Sequence, residues 1–372
     1  MKINRLPIAT NVVLSTDCRI ANKLAIIQTS SKSDAWLATH MDVVMNRDLN
    51  ATIGNGIYEA KLNYFDDILV NRKIDFWGVL PSDLCDVIAC LINRGEYVML
   101  DIHTSKRFPE SPNSIQSLII YGYDYNKMIY NTLAMHWKGF FQEVEVPVEL
   151  INSAFADVRE HYMNNPDDII LRHYSYYPLG TLKLRDDYNT DNALYDSIAF
   201  KIGREFGGES YSIHGFSEDG TIQKNDKLCY TGVGCLLGII NTMTEVRDGL
   251  YGNIKEISPY AARASFVLHE HRKRIHQDMK WIIRTLNWST PRINDVIEQY
   301  FITASNMEVI HNKFNKLAQN GDCKMLNEIL KQLMNQYTSE KLLLMEFMNS
   351  TFKYYTKMQS ADFYMDTLED LN

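Results

Sequence analysis

The sequence lacks both a long apolar run and an excess of positive charge. A membrane-spanning helix needs about 20 mostly apolar residues, and no uninterrupted run of about 18 occurs in this chain. The formal net charge is −8, so the chain has no broad positive field of the kind that nonspecific nucleic-acid binding requires. We therefore expect neither a membrane span nor a nucleic-acid partner.

Cysteine is also scarce, and its spacing is uninformative for metal or disulfide chemistry. The six cysteines form no Cys-x-x-Cys pair, which in a chain of this length favours reduced thiols. The N-terminus imitates an export signal, but Pro7, Thr10 and Asn11 interrupt its apolar run. Asp17 before Cys18 also disfavours a lipoprotein cleavage site. These features predict a cytoplasmic protein.

The 372 residues are 45% hydrophobic and 23% charged, values that are typical of a folded globular protein. The hydrophobic pattern changes along the chain, and the middle is polar, with Pro166 and Pro178 as breakers. We predict a first domain over 1–155, a connector with short elements over 156–225, and a helical domain over 226–372.

The first domain combines helix and strand patterns. Apolar residues recur at helical spacing over 17–29 and 80–93. Alternating or continuous apolar runs predict strands at about 96–103, 115–122, 127–134 and 141–146. Asp124 to Lys127 should form the turn of a hairpin between the second and third strands. Helices followed by an antiparallel sheet indicate an α+β fold.

Strong helix boundaries mark the C-terminal third. Ser258-Pro259 and Thr290-Pro291 each read as an N-cap followed by a first-turn proline. Gly321-Asp322 separates the second of these helices from a third. This pattern predicts a C-terminal helical bundle.

Two segments of the first domain are similar to motifs of a known family. Residues 113–124 read Asn-Ser-Ile-Gln-Ser-Leu-Ile-Ile-Tyr-Gly-Tyr-Asp, and residues 16–25 read Thr-Asp-Cys-Arg-Ile-Ala-Asn-Lys-Leu-Ala. They resemble the peptidase C39-like and butirosin-biosynthesis-H-like proteins, which accompany nonribosomal peptide and related natural-product clusters. The resemblance covers roughly the first 155 residues. It implies a papain-like fold, as in the cysteine proteases, for this part of the chain.

The resemblance assigns three catalytic positions. Cys18 matches the family's nucleophile at the start of a helix, where the helix dipole stabilises a thiolate. Gln116 stands where the family has its histidine, and Ala134, or an immediate neighbour, where it has its aspartate. An amide neither accepts a proton near neutral pH nor pairs with a thiolate as an ion. Loss of one member of such a triad typically costs about 10⁴ to 10⁶ in rate.

Three explanations for Gln116 stay open. The protein is a natural pseudoenzyme, or an inactivated variant, or another histidine substitutes. The candidate substitute bases are His103, which ends the preceding strand, and His136, just beyond the aspartate position. Asn131 or Thr132 could orient a base in place of the aspartate, since the strand register is uncertain by one or two residues. Asn11 is a candidate oxyanion donor.

The segment His269-Glu-His-Arg-Lys-Arg-Ile-His276 stands out in an acidic chain. Histidines seven residues apart with interleaved Arg and Lys disfavour a cation site, so a solvated basic helix face is the default interpretation. The alternative is a docking surface for an acidic partner or a phosphate group around Arg272, Lys273 and Arg274.

The glycines between Gly232 and Gly238 imitate a dinucleotide-binding fingerprint, but their spacing is wrong for one. Close helix packing explains them better.

Two functional hypotheses follow. In the first, which the resemblance implies, Cys18 accepts an acyl or peptidyl group from a carrier-protein thioester and passes it to a small-molecule amine. The substrate would be presented on phosphopantetheine, and the chain itself would need no cofactor and no metal. In the second, the chain is catalytically degenerate, and its papain-like cleft serves as a binding or scaffold surface.

Overall fold

The computed structural model describes most of the chain in two compact units. The described residues are 3–12, 18–41, 43–53, 65–103, 115–135, 141–166, 178–188, 205, 211–216 and 222–369. The first unit consists of Met1–Trp36 and Gly56–Thr190, and the second of Leu37–Asn55 and Asp191–Asn372. Each unit is therefore assembled from two separate stretches of sequence.

Helices and antiparallel strands make up both units, as the α+β prediction requires. The strands are β1 (Ile3–Arg5), β2 (Val43–Asn46), β3 (Ala51–Ile53), β4 (Leu69–Lys73), β5 (Tyr97–His103), β6 (Ile115–Asp124), β7 (Ile129–Met135), β8 (Phe141–Pro147), β9 (Leu179–Leu184), β10 (Tyr211–Phe216) and β11 (Ile222–Thr231). The helices are α1 (Cys18–Ile27), α2 (Ser33–Thr39), α3 (Leu84–Asn93), α4 (Val148–Asn164), α5 (Gly234–Arg247), α6 (Ile254–Thr285), α7 (Pro291–Asn320) and α8 (Cys323–Glu369).

The first unit is built on one sheet in the order β4-β9-β5-β6-β7-β8, with β1 also paired to β6. Every described pairing in it is antiparallel. Helices α3 and α4 cover one face, because their apolar stripes join the apolar residues of β5 and β6 in a single buried cluster. The residues of α3 in this cluster are spaced for one helix face: Leu84, Ile88, Leu91 and Ile92.

The hairpin between β6 and β7 shows why the sequence turns where it does. The Asp124 carboxylate accepts backbone N–H groups from Asn126 at 2.9 Å and Lys127 at 3.3 Å, an arrangement that mimics a backbone turn. Met128, which follows, has a φ of 56°. The predicted hairpin is confirmed.

The second unit has a smaller sheet in the order β10-β11-β2-β3 and the helices α5 to α8. Helix α7 packs on α6 and α8. Thr290 caps α7 as predicted, since its side chain accepts the N–H of Ile293 and Pro291 is the first helical residue. Gly321 ends the same helix in the left-handed conformation, with a φ of 69°.

The predicted start of α6 at Ser258-Pro259 is wrong. The helix begins at Ile254, and its N-cap is Asn253, whose side chain accepts the N–H of Glu256. Pro259 lies inside the helix, and the Ser258 hydroxyl turns back to the carbonyl of Ile254 at 2.5 Å. At this position a proline removes the donor that would otherwise bond the Lys255 carbonyl.

The unit boundaries differ from the predicted domain boundaries at 155 and 225. The first unit continues to residue 190, because β9 inserts between β4 and β5 in its sheet. Residues 37–55 belong instead to the second unit, where β2 pairs with β11. The stretch predicted as a connector thus supplies strands to both sheets.

Candidate functional site

Helix α1 begins at Cys18 and packs on β6, β7 and β9 of the sheet. The Asn22 amide reaches the backbone carbonyl of Ser117 in β6, with an Nδ2 to O distance of 3.4 Å. At the other end of the helix, Thr29 lies beside the Tyr97 hydroxyl at the start of β5. The predicted helix with Cys18 in its first turn is confirmed for the backbone, whereas the Cys18 side chain lies outside the described part of the structure.

Gln116, at the family's histidine position, lies near the start of β6. It is half-buried and stands opposite Ile102 of β5. Ile102 belongs to the apolar cluster under α3 and α4. Because successive strand residues face opposite sides of a sheet, Gln116 shares the face of Ile102 and Leu118, and Ser117 lies on the other face.

In the neighbouring residue pair of β5 and β6, a buried carboxylate accepts hydrogen bonds from two hydroxyls. Asp101 is fully buried, and its paired neighbour across the strands is Ser117. The Ser117 hydroxyl donates to Asp101 Oδ1, and the Tyr162 hydroxyl of α4 donates to Oδ2 at 2.8 Å. Hydrogen bonds to charged groups each contribute about 1.5–3 kcal/mol. Sequence reasoning missed Asp101, because no motif spacing separates it from an ordinary strand residue.

Two histidines meet at the same end of the sheet. His103 is the last residue of β5 and lies opposite Ile115. Its ring meets that of His161 from α4 edge-on, with centroids 5.7 Å apart. Both are half-buried. Sequence analysis identified His103 as a candidate and did not identify His161, since only the docking of α4 brings the two together.

The positions considered for an orienting acid lie in β7. Ala134 stands opposite Gln142 of β8. Thr132 is buried, and its hydroxyl donates to the Val144 carbonyl at 2.8 Å. Asn131 is also buried and directs its Oδ1 at the backbone of Gly122, where an added Cβ would be 2.9 Å away.

The remaining candidates of the first unit are less informative. Asn11 is exposed, and its backbone carbonyl accepts the Gln28 amide at 3.4 Å. His136 lies outside the described residues.

The basic segment of α6 is not a solvated face, and this corrects the default interpretation. Arg272 and Arg274 are buried, and only Lys273 of the three basic residues is exposed. Arg272 forms an ion pair with Glu340 of α8, with an Nε to Oε2 distance of 3.0 Å, and Arg274 pairs with Asp278. A docking surface around Arg272 and Arg274 is therefore excluded, because both guanidinium groups are already paired inside the unit.

His271 and His276 of the same segment are buried as well, and His269 is half-buried. His271 Nε2 lies 3.0 Å from Glu205 Oε1. Burial lowers the pKa of His269 and of His276 below the ordinary value, and nearby lysines lower it further. The segment thus carries less positive charge at neutral pH than its sequence suggests.

Gly232 adopts a left-handed backbone conformation, and Gly238 allows close packing of α5. Gly232 has a φ of 50° and lies against the backbone of Glu205. At Gly238, in α5, a Cβ would come within 2.5 Å of Met45 Cε and 2.6 Å of Tyr230 Cδ2. The prediction of close helix packing is confirmed.

Comparison with known proteins gives no assignment. The chain matches no protein-family model and no curated protein. Among the described residues, no helix is long and apolar enough to cross a bilayer. The same residues contain no group of three or more His, Cys, Asp or Glu side chains placed to hold a metal ion. The similarity to papain-like proteins stays a prediction from the two motifs.

Proposed function

We propose that this protein is a cysteine-dependent acyltransferase of the amide-forming type, acting in natural-product biosynthesis. The observation that carries the proposal is the placement of α1. The helix begins at Cys18, and its Asn22 touches the strand with the Leu-Ile-Ile-Tyr-Gly-Tyr-Asp motif. The two segments that resemble the papain-like family are thus neighbours in space although about 90 residues separate them in sequence.

The proposed first half-reaction loads the enzyme. The Cys18 thiolate attacks the carbonyl of an acyl or peptidyl thioester on the phosphopantetheine arm of a carrier protein. A bond forms between Cys18 Sγ and the carbonyl carbon, the bond to the phosphopantetheine sulfur breaks, and the released thiol takes up the proton that Cys18 lost. Exchange between two thioesters is nearly neutral in energy, so the step needs no ATP.

The second half-reaction releases the product. A small-molecule amine attacks the acyl-Cys18 carbonyl, and the tetrahedral intermediate collapses with loss of the Cys18 thiolate, which regains a proton from the amine. The N-terminus of α1 favours the thiolate in both halves, because its free N–H groups carry partial positive charge.

The proposal includes a papain-like first unit, a C-terminal helical bundle and a cytoplasmic location. The antiparallel sheet with α1 beside β6 supports the first, and the packing of α7 against α6 and α8 supports the second. For the third, Cys85, Cys90, Cys235 and Cys323 are free thiols, as a reducing compartment would keep them. The carrier protein remains the proposed partner, at a surface other than Arg272 and Arg274.

The test is covalent loading. Purified protein is incubated with acyl-carrier thioesters and analysed by intact mass, and the adduct is then mapped to a peptide. We expect an acyl adduct on Cys18 that disappears in Cys18→Ala and persists in Cys90→Ala, the matched control at an exposed thiol. Absence of an adduct in both the wild type and a Gln116→His variant would refute acyl transfer.

The second candidate function is a non-catalytic binding or scaffold protein. It is favoured by Gln116 and Ala134, neither of which can transfer a proton at the positions where the family has its base and acid. In that case Cys18→Ala binds a carrier protein as tightly as the wild type and leaves biological output unchanged. Loss of output in Cys18→Ala with carrier binding retained would contradict it.

A further inference from the structure

Three elements of the first unit meet around the thiol of Cys85, which no step of the proposed acyl transfer uses. Cys85 is the second residue of α3 and is half-buried. Asn152 of α4 donates an amide N–H to Cys85 Sγ at 3.3 Å, and the Asn152 side-chain oxygen lies 3.7 Å from the same sulfur. The Tyr125 hydroxyl, from the turn between β6 and β7, donates to the Cys85 carbonyl at 2.7 Å. Polar contacts from a second helix and from the hairpin thus hold Cys85 in place.

The hydroxyl of Tyr130 in β7 lies beside the same thiol. Tyr130 is fully buried, and its ring meets that of Tyr125 edge-on, with centroids 6.4 Å apart. Burial raises the pKa of Tyr130, and the neighbouring Cys85 and Tyr125 side chains raise it further, so the hydroxyl keeps its proton at neutral pH. Among the residues that the structure describes, this hydroxyl has no partner in hydrogen-bond geometry, whereas most buried polar atoms have one. It is therefore available to donate to an oxygen atom at the sulfur.

The donors around Cys85 suit the attack of its sulfur on a peroxide. In that reaction negative charge develops on the departing oxygen, and donors placed where charge develops lower the barrier. The Tyr130 hydroxyl and the Asn152 amide, which has a second N–H, are such donors. Asp86, the exposed residue that follows Cys85, disfavours negative charge in this region, so we assign the favourable contribution to Tyr130 and Asn152.

The other thiol of α3 cannot divert the product into a disulfide within the helix. Cys90 lies five residues after Cys85 and is exposed. Five helical residues correspond to a rise of about 7.5 Å, and a disulfide spans at most about 7 Å between Cα atoms. Oxidised Cys85 therefore keeps its added oxygen until a small thiol reaches it.

We propose that Cys85 is a site of reversible oxidation by hydrogen peroxide, with Tyr130 and Asn152 as the donors that promote it. The Cys85 sulfur attacks one peroxide oxygen, a sulfur–oxygen bond forms, and the oxygen–oxygen bond breaks. The sulfur is oxidised to a sulfenic acid, and the departing hydroxide takes up the thiol proton and leaves as water. A low-molecular-weight thiol then displaces the added oxygen as water and forms a mixed disulfide with Cys85. A second molecule of the same thiol releases reduced Cys85 and the disulfide of the small thiol.

Peroxide treatment of the full chain tests the proposal. The reduced protein is exposed to hydrogen peroxide for varied times, quenched with catalase, and unfolded in guanidinium with dimedone, so that trapping of sulfenic acids does not depend on access in the fold. Cys85 and Cys90 share the tryptic peptide 74–94, and fragment ions distinguish them. We expect Cys85 to be oxidised at least about tenfold faster than the more exposed Cys90. An equal or slower rate at Cys85 would overturn the proposal.

Two variants remove one donor each. We expect Tyr130→Phe and Asn152→Ala to slow the oxidation of Cys85 by at least about tenfold and to leave the rate at Cys90 unchanged. The matched control is Tyr121→Phe, because Tyr121 is also a fully buried tyrosine of this sheet but its hydroxyl bonds to Glu143. This control should keep the wild-type rate at Cys85. A wild-type rate in both donor variants would refute the assignment of the donors.

The test does not depend on the folding of a variant. Tyr130→Phe deletes a buried hydroxyl that has no partner among the described residues, so it should unfold no more readily than the wild type. The comparison of Cys85 with Cys90 uses the wild-type chain alone. Glutathione should return oxidised Cys85 to the thiol, and accumulation of sulfinic acid without any trapped sulfenic acid would contradict a reversible site. The proposal uses no residue of the acyl transfer, so either proposal can fail alone.

Discussion

At the residue scale, Gly122 explains part of the Ile-Tyr-Gly-Tyr-Asp motif in physical terms. A Cβ at this position would lie 2.9 Å from Asn4 O and from Asn131 Oδ1, and 3.1 Å from Arg5 Cα. The neighbouring strand β1 and the side chain from β7 both approach the bare backbone, so glycine is needed here for space rather than for an unusual φ angle.

Gly122→Ala should therefore destabilise the first unit. Overpacking of a close contact typically costs about 1–3 kcal/mol, and urea denaturation would measure the loss. The double variant Gly122→Ala/Asn131→Ala should recover only part of it, because the contact with the β1 backbone remains. Full recovery of stability in the double variant would show that the contact with Asn131 alone, and not the β1 backbone, excludes a side chain at position 122.

His276 predicts a pH dependence of stability. Burial lowers the pKa of His276 in the folded protein, whereas in the unfolded chain it has an ordinary value of about 6.5. Below that value the unfolded state binds the proton more readily, so stability falls as the pH falls through about 6.5 toward the folded pKa. His276→Gln should lose less unfolding free energy between pH 7.5 and pH 5.5 than the wild type does. Exposed Lys273→Gln should keep the wild-type dependence, and equal slopes in all three proteins would contradict the assignment.

At the scale of elements, a buried ion pair joins α6 to α8. Arg272 and Glu340 are 2% and 1% exposed. Gln336 donates to the other Glu340 oxygen at 2.6 Å, and Arg272 also donates to the Gly232 carbonyl at 3.3 Å. The ion pair and its hydrogen bonds thus connect α6, α8 and the turn before α5.

Removing one partner of this pair should be costly. Glu340→Ala leaves Arg272 buried without its carboxylate, and such losses cost about 3–5 kcal/mol. Replacing both with apolar residues, as in Arg272→Met/Glu340→Leu, should be less destabilising than the single change. Glu346→Ala, which breaks the exposed pair with Arg292, should cost at most about 1 kcal/mol. Chemical denaturation of the three variants would measure these differences, and comparable losses at Glu340 and Glu346 would contradict the role of burial.

The sequence predicts local features of this molecule well and distant pairings poorly. The strands on either side of Asp124, the cap at Thr290 and the stop at Gly321 are encoded by neighbouring residues and are confirmed. Arg272 is buried against Glu340, which lies 68 residues later in the sequence. No pattern in the residues around Arg272 predicts this pairing. The packing of α1 on β6, β7 and β9 likewise joins segments that are distant in the sequence.

At the scale of the whole molecule, β9 extends the first unit to residue 190, beyond the roughly 155 residues that the family resemblance covers. A fragment of residues 1–155 lacks β9 and the second half of α4. It leaves the edges of β4 and β5 unpaired, and exposed edges favour aggregation. We expect no cooperative thermal transition from this fragment by circular dichroism, whereas residues 1–190 contain every strand of the first sheet and should melt cooperatively. Cooperative melting of 1–155 would show that β9 and the second half of α4 are both dispensable for folding.

The pairing of β2 with β11 has a consequence during protein synthesis. The β2 and β3 residues leave the ribosome roughly 170 residues before β11, and at about 5–20 residues per second their partner arrives roughly 8 to 34 s later. The strands of the first sheet are all synthesised once β9 has emerged. Until β11 is made, β2 and β3 have no β11 to pair with, although they are inserted in the sequence of the first unit. Synonymous codons that change the elongation rate between residues 56 and 222 should therefore alter the yield of folded protein without altering the protein itself.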